Sequence, residues 1–464
     1  MPRALATACR RRGGAATARA LLGAACLTAA LAGCRSTVDS LGYDDDPTGA
    51  HLRRMHGPAS YPNAFRDLLG KTNAEIADKI ASAFNQLFHG DPSTQAIYFP
   101  VAGQDQAYIK DILHGDIRSD GMGLGMLIAV EMGKHDEFDR LWNYARTSMQ
   151  VQTGPDKGYF LSSCATSVNP GVTCFEPFGP QQMLMALLLA NDLWGSPAAD
   201  GGVALAGADA GTAAAADYAA AASELLTVMR HKVDQNGGIV AGVTDMFDPV
   251  SALVFGQPDS AYADVTRPSI EMPGYYDLWA QATGDPFWTR AAGAGRDYWK
   301  RVADPATGLV PSGSHLDGSV IADSDTFSSE AYRSLVNFVV DCVWAAGAAG
   351  TADPSTTPPA AAAPAPDRSW DVAEANLLLG FFIGADINQY GREFTLDGLT
   401  LDPDRDPALV AANGITGAIS TIGRRSDFIQ AVWDMDIATG NARYFTGTMQ
   451  MLGLLLLGGQ FRVW

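Results

Sequence analysis

The 464-residue chain is poor in positive charge. It has 32 lysines and arginines against 51 aspartates and glutamates, which gives a formal net charge of −19. Proteins that bind nucleic acids neutralise phosphates with clustered lysine and arginine side chains. The composition therefore argues against a nucleic-acid partner and is compatible with neutral ligands.

Cysteine is also scarce, with six residues in the chain. No CxxC pair or histidine-rich cluster indicates a metal site, so we expect neither a metal nor another cofactor. Cys164 and Cys174 are ten residues apart in a loop-like segment. In an exported compartment these two residues can form a disulfide, although the sequence does not fix the connectivity.

Long apolar runs are missing except near the N-terminus. Residues 1–33 carry five arginines and no acid, and they contain the apolar run ALLGAACLTAALAG, which is too short for a comfortable membrane span. This pattern is typical of a secretory signal. The segment ends in Leu31-Ala32-Gly33-Cys34, which resembles a bacterial lipobox, where the cysteine is lipidated and becomes the first residue. A simple signal peptide with an incidental Cys34 remains the alternative.

Export would leave a mature chain that begins at Cys34 and has lost five arginines, so its net charge falls from −19 to −24. The polar residues 34–59 are predicted to be a tether between anchor and domain. Arg35 follows the cysteine, which by resemblance to lipoproteins favours the outer membrane. We expect a monomer in the bacterial cell envelope that contacts the membrane through its lipid anchor alone.

The alternation of apolar and polar residues that is typical of β-strands is rare, whereas the periodicity of amphipathic helices recurs throughout residues 60–464. The pattern predicts a single all-α domain built as a toroid of paired helices, with one short β-rich excursion near residues 237–247. The predicted helical segments are 73–90, 125–150, 180–195, 215–233, 272–284, 286–304, 328–347, 369–387, 408–422 and 444–459.

Two segments of low complexity interrupt this domain. Residues 196–217 and 347–367 consist mainly of alanine, glycine, proline, serine, threonine and aspartate. They bury too little apolar surface to offset the entropy cost of ordering. We interpret them as loops inserted between helices.

Asp120 lies in the segment RSDGMGLGM (118–126), at the predicted start of a buried helix. An acid there is stabilised by the free backbone amides of the first turn and by the helix macrodipole. The glycines that follow allow a ligand or another chain to approach the backbone closely. Taken alone, the pattern also fits an ordinary helix cap.

The segment resembles the signature of glycoside hydrolase family 8, in which a glutamate before Gly-Met-x-x-Gly-Met is the general acid. FSSEAYR (327–333) resembles the family segment Phe-x-x-Asp-Ala-x-Arg, whose aspartate is the general base. The resemblance is strongest to the exo-oligoxylanase-like branch and extends along nearly the whole mature chain. It implies an (α/α)6 barrel and an inverting glycosidase that acts on β-1,4-linked oligosaccharides, with xylo-oligosaccharides as the expected substrate.

By this resemblance Asp120 is the general acid and Glu330 the general base. An inverting site holds the two carboxyl groups about 6.5 to 9.5 Å apart, so that a water fits behind the sugar. The family has a glutamate acid and an aspartate base, so this chain exchanges the two residue types. Arg118 and Arg333 lie beside them, as carboxylate partners or sugar contacts. A proton donor needs a raised pKa, and we expect burial or a neighbouring carboxylate to raise that of Asp120, with Glu176 as the candidate neighbour.

Several positions depart from the family pattern. Phe178 stands where the family has an aspartate that holds the sugar ring distorted, and Glu176 is the candidate substitute. Ser162 replaces a sugar-stacking tryptophan, Arg267 an aspartate and Glu271 a histidine. These departures motivate two alternatives: a catalytically impaired glycan-binding lipoprotein, or an endoglucanase or chitosanase of the same family.

Aromatic side chains are the remaining candidates for sugar contacts, since pyranose C–H faces pack well on aromatic rings. Two or three of the five candidates are expected to contact the ligand and the others to lie in the core. They are Tyr159, Tyr275, Tyr276, Trp279 and Tyr332.

Overall fold

The computed structural model describes residues 52–165, 174–195, 217–345 and 368–464. The predicted signal, Cys34 and nearly all of the two low-complexity segments lie outside the described residues. Within these ranges no helix is both long and apolar enough to cross a membrane. The described α-helices are α1 (Ala64–Leu69), α2 (Asn73–His89), α3 (Ser119–Glu131), α4 (His135–Tyr144), α5 (Phe178–Trp194), α6 (Tyr218–Gln235), α7 (Pro273–Thr283), α8 (Pro286–Val302), α9 (Ser329–Ala345), α10 (Ser369–Gly384), α11 (Pro407–Thr416), α12 (Arg425–Asp434) and α13 (Phe445–Leu457).

Six of these helices form a closed inner ring. α3 packs on α5, α7 on α9, α9 on α11, and α11 on α13, which returns to α3. α5 and α7 are joined by hydrogen bonds from Tyr275 to Gln182 and from Tyr276 to Gln181, each 2.8 Å. α2, α4, α6, α8, α10 and α12 pack outside this ring. The predicted (α/α)6 barrel is confirmed.

Burial follows the two layers. α3, α5 and α13 are apolar on almost every side and are buried along nearly their whole length, as helices enclosed by an outer ring must be. α4 and α8 are amphipathic and bury one face only.

The sequence correctly predicted most helices, with two differences. The segment 125–150 is divided, because α3 ends at Glu131 and Gly133 turns the chain with a φ of 65° before α4. A single π-helical turn, Ala145–Met149, follows α4. α1 and α12 were not predicted.

Short antiparallel strands lie in the loops that lead into inner helices. β3 runs directly into α3, and β7 precedes α9. The excursion predicted at 237–247 contains isolated β-bridges, at Val240, Val243 and Phe247, in place of a regular strand. The strands are β1 (Tyr98–Pro100), β2 (Ala107–Asp111), β3 (Asp116–Arg118), β4 (Ser163–Ala165), β5 (Val265–Thr266), β6 (Ser314–His315), β7 (Thr326–Phe327), β8 (Glu393–Thr395) and β9 (Thr400–Asp402).

The domain begins earlier than predicted. Residues 52–59, expected to belong to the tether, lie against the barrel. The backbone N–H of Met55 donates to Asp192 Oδ2 at 3.0 Å, and its side chain is 2% exposed. The N–H of Arg53 donates to the carbonyl of Ala282 at 2.8 Å. The apolar Met55 anchors this segment. The sequence did not indicate this contact because the neighbouring residues are polar.

Candidate active site

The N-terminal ends of the inner helices meet at one end of the barrel. Outer and inner helices alternate along the chain from α2 to α13, so the inner helices share one direction. Asp120 is the second residue of α3, and Glu330 the second of α9. Free amides and aligned helix dipoles make this end favourable for negative charge.

Asp120 is held by donors on both carboxylate oxygens. Oδ2 accepts from Arg333 Nη2 at 2.6 Å. Oδ1 accepts from the hydroxyl of Tyr444 at 2.7 Å and from the N–H of Gly121 at 2.8 Å. The side chain is 17% exposed. Asp120 is thus fixed in place by three elements of the inner ring.

These contacts favour the charged form of Asp120. Burial raises the pKa of this carboxyl, but the charge of Arg333, the Tyr444 hydrogen bond and the charge of Arg118 outweigh it, and the pKa lies below its ordinary value. The expectation of a raised pKa is wrong for this structure. Glu176, expected to be the responsible neighbour, forms an ion pair with Arg267 at 3.4 Å instead.

Glu330 has different partners. Its Oε1 accepts from Ser269 Oγ at 2.7 Å, and Arg267 Nη1 lies 3.7 Å away. Burial raises the pKa of Glu330, whereas the charges of Arg267 and Arg333 and the Ser269 hydrogen bond lower it, with a net shift downward. The side chain keeps 34% of its surface exposed. A charged, accessible carboxylate can accept a proton from water.

One connected cluster therefore holds the predicted carboxylates. Arg267 bridges Glu176 and Glu330, and its Nη2 also donates to the carbonyl of Gly256 at 3.0 Å. The charge of Arg333 acts on Asp120 and Glu330 together. Four of the predicted site residues thus converge, although they come from three different inner-helix ends.

Arg118 borders this cluster. Its Nε lies 3.0 Å from Asp116 Oδ1 and 3.2 Å from Asp111 Oδ2. Its charge contributes to lowering the pKa of Asp120. Arg118 thus pairs with neighbouring carboxylates, which is one of the two roles expected for it.

The five predicted sugar-stacking rings are placed elsewhere. All five belong to the hydrophobic core. The hydroxyl of Tyr159 donates to the Thr244 carbonyl at 2.6 Å, and that of Tyr332 to the Arg392 carbonyl. The inner helix α7 is covered on both sides, which buries its aromatic residues. The exposed fractions are 2% for Tyr159, 5% for Tyr275, 0% for Tyr276, 0% for Trp279 and 1% for Tyr332.

Sequence reasoning missed two polar contacts of the cluster. Ser269 binds Glu330, and Tyr444 binds Asp120. Ser269 lies just before α7, and Tyr444 immediately precedes α13. Their position at the start of inner helices is the signal that could have identified them.

The predictions about a metal site and a disulfide concern residues outside the charged cluster. In the described ranges, no group of three or more histidine, cysteine, aspartate or glutamate side chains is arranged to hold a metal ion. Cys174 is disulfide-bonded. The side chain of Cys164 lies outside the described ones, so the pairing of Cys164 with Cys174 stays a prediction.

No protein-family model matches the chain. The reducing-end xylose-releasing exo-oligoxylanase Rex8A of Paenibacillus barcinonensis is 32% identical over 421 residues, which cover 87% of this chain and 97% of that protein. The reducing end xylose-releasing exo-oligoxylanase of Halalkalibacterium halodurans is 28% identical over 412 residues, covering 87% and 94%. The crystal structure of a GH8 xylobiose complex from Teredinibacter turnerae superimposes with a TM-score of 0.74 at 29% identity, covering 87% and 98%.

Proposed function

This chain belongs to glycoside hydrolase family 8, and from that premise we propose that it hydrolyses β-1,4-linked xylo-oligosaccharides with inversion, releasing xylose from one end. The observation that carries the proposal is the meeting of Asp120 and Glu330, from two inner helices, in one charged cluster. Rex8A, named for this activity, is similar over 97% of its length. Two carboxyl groups on opposite sides of a glycosidic bond are what inversion requires.

Glu330 suits the role of the base. Its carboxylate is kept charged by Arg267 and oriented by Ser269. In this role it accepts a proton from the water that attacks the anomeric carbon.

Asp120 takes the role of the acid and gives a proton to the leaving oxygen. Because Arg333 and Tyr444 stabilise its charged form, only a small fraction of Asp120 carries a proton at neutral pH. That fraction grows as the pH falls. We therefore expect an acidic optimum, bounded on the alkaline side by loss of the Asp120 proton.

The third carboxylate of the cluster is Glu176. Through Arg267 it is linked to Glu330. We assign it, with Arg118, to the polar contacts of the sugar, whereas Arg333 is paired with Asp120. Since the five candidate rings are buried, these polar groups carry the binding.

Incubation of the mature protein with xylo-, cello- and chito-oligosaccharides tests the substrate. Chromatography should show xylo-oligosaccharides shortened by xylose, and anomeric NMR should show inverted products. Preferred cleavage of internal bonds in cello- or chito-oligosaccharides would support the endoglucanase or chitosanase alternative.

Two amide variants test the roles. Asp120→Asn and Glu330→Gln should each lower the rate by about 10²-fold or more, since each removes a proton-transfer group. Asp427→Asn is the matched control, because it breaks another aspartate–arginine pair, with Arg424, on the outer helix α12. If the wild type is active and either amide variant keeps more than about a tenth of its rate, the assignment of the two carboxylates is wrong.

A second candidate function is supported by the strong Asp120–Arg333 pair. A proton donor that stays charged would leave a glycan-binding protein without catalysis. Saturable binding of xylo-oligosaccharides, with no hydrolysis between about pH 4 and 8, where carboxyl and imidazole groups titrate, would favour this alternative.

We further propose that the protein is exported and anchored through lipidated Cys34. The lipobox-like Leu31-Ala32-Gly33-Cys34 supports this, and several acyl chains together hold a protein stably in a membrane. Cys34→Ser should move the protein to the soluble fraction, whereas the neighbouring change Ser36→Ala should not. If the Cys34→Ser variant stays with the membranes, the anchor lies elsewhere.

A further inference from the structure

Two phenylalanine rings cover the guanidinium of Arg333. The Arg333 Cζ atom lies 4.5 Å from the ring centroid of Phe178 and 5.5 Å from that of Phe445. Phe178 is the first residue of α5, and Phe445 the first of α13. A guanidinium over an aromatic face is attracted by the ring quadrupole, more strongly where water is excluded. The Arg333 side chain is 13% exposed.

We propose that Phe178 and Phe445 are positioning residues that hold the Arg333 guanidinium on Asp120 and thereby keep this carboxylate charged. The inference rests on the proposed function only in calling Asp120 the proton donor. The contacts themselves are independent of the substrate.

Arg333 pairs with one of two nearby carboxylates. Its Nη2 lies 2.6 Å from Asp120 Oδ2. No ion pair of Arg333 with Glu330 within 4.0 Å occurs among the described residues, although Glu330 is on the same helix and its charge acts on Arg333. Arginine has many rotamers, so an unrestrained guanidinium would distribute itself between two nearby carboxylates. The two rings restrict it to one.

The residue type at 178 strengthens this effect. The resemblance to family 8 implies an aspartate at this position, which would offer the guanidinium a competing carboxylate. Phe178 is buried and supplies a ring face instead. The departure at 178 and the charged state of Asp120 are therefore linked through Arg333.

Other charges also face Asp120, and their effects must be separated from that of the rings. Arg118 at the end of β3 and the Tyr444 hydroxyl before α13 stabilise the charged form, whereas Glu330 on α9 opposes it. Arg267 lies beyond Glu330. None of these groups is itself replaced in the Phe178 and Phe445 variants.

NMR titration of the ¹³C-labelled aspartate carboxyls, with Asp120 assigned by Asp120→Asn, measures the effect without any turnover. Phe178→Leu and Phe445→Leu should each raise the pKa of Asp120 by about half a unit to one unit, the size that a lost cation–π contact implies. The double variant should raise it further. Phe287→Leu is the matched control, because that ring lies 3.9 Å from the guanidinium of Arg230 on outer helices; it should leave the Asp120 pKa unchanged.

Where hydrolysis is measurable, the alkaline limb of kcat/KM should move to higher pH by the same amount in the two site variants and stay in place in Phe287→Leu. A protein without hydrolysis refutes the proposed function, and the NMR shift still decides the role of the rings. An unchanged Asp120 pKa in folded Phe445→Leu and Phe178→Leu overturns the inference. If Phe178→Leu does not fold, the half-buried Phe445 decides alone.

Discussion

Asp120 and Glu330 at the inner-helix ends can be compared with Glu271 and Glu374, which are buried elsewhere in the domain. Burial raises the pKa of all four carboxyls. For Glu271 and Glu374 burial is the dominant effect. It raises the pKa of Glu271 to about 8 and that of Glu374 to about 7. For Asp120 and Glu330 the balance is reversed, and both pKa values lie below the ordinary ones.

The difference lies in the partners. Asp120 and Glu330 face arginines, whereas Glu271 accepts hydrogen bonds at Oε1 from the N–H of Val254 at 2.9 Å and from Thr266 Oγ1 at 3.2 Å. In the described parts of the chain, Glu271 Oε2 is buried and no arginine or lysine forms an ion pair with this residue. Burial alone makes a carboxyl neutral, and a buried arginine beside it keeps it charged.

The largest expected effect comes from removing the arginine. Arg333→Met keeps the apolar stem but leaves Asp120 buried without its cation, and breaking such a pair costs on the order of 3 to 5 kcal/mol. A depressed pKa contributes stability above the unfolded value of 3.8, and that contribution is lost as the pH falls through the folded value. Urea unfolding should therefore show a large cost at pH 7 and a smaller one at a pH well below 3.8.

The control for this variant is Arg424→Met, which breaks an exposed pair with Asp427. Exposed pairs contribute little, so its cost should stay below about 1 kcal/mol at both pH values. Equal costs for the two variants would mean that Asp120 does not depend on Arg333.

Local patterns in the sequence were sufficient to predict most of the helices and to single out two carboxylates that lie at the starts of inner helices. Asp120 and Glu330 lie in segments whose surrounding residues match a known signature, so each position could be predicted without knowing the fold. The arginine that pairs with Asp120 could not be predicted in this way. Arg333 is 213 positions away, and Arg267 reaches Glu176 and Glu330 across two loops. Such pairs depend on how the inner ring closes.

Two or three of the five aromatic residues were expected to contact the ligand, yet all five are buried, for a different physical reason. Helical periodicity separates a buried face from an exposed one only when the helix has an exposed face. α7 is an inner helix, so both Tyr276 and Leu278 are buried although they lie on nearly opposite faces of the helix. From the sequence alone, a ring beside the site and a ring in the core gave the same pattern.

The next prediction concerns Glu271. Its folded pKa is raised, so the folded state holds a proton that the unfolded state releases, and stability falls as the pH rises from about 4.5 to about 8. The 3.5-unit rise allows at most about 5 kcal/mol, at about 1.4 kcal/mol per unit. A buried amide with unmet bonds costs about 1 to 3 kcal/mol. Glu271→Gln should thus be less stable than the wild type at pH 5 and about 3 kcal/mol more stable at pH 9.

Thermal and urea unfolding at both pH values check this crossover. Glu224→Gln, on an exposed position of α6, is the control and should shift both curves equally. If Glu271→Gln shows the same difference at pH 5 and pH 9, Glu271 is already charged in the folded protein.

The smallest effect is expected from Tyr444→Phe, which removes one donor from Asp120 and leaves Arg333 in place. The lost bond is 2.7 Å long and points at a charged oxygen that Gly121 also serves. We expect a loss of about 1.5 kcal/mol at pH 7, the lower end for a bond to a charged group. The pKa of Asp120 should rise, because the bond favours its charged form.

Tyr159→Phe provides the matched comparison, since its hydroxyl donates to the neutral carbonyl of Thr244 at 2.6 Å. That change should cost about 1 kcal/mol, as for an ordinary buried hydrogen bond, and should not move the pKa of Asp120. Carboxyl NMR of the two variants separates the cases. If the pKa of Asp120 is the same in Tyr444→Phe and Tyr159→Phe, Arg333 alone keeps Asp120 charged, and Tyr444 serves only the packing against α3.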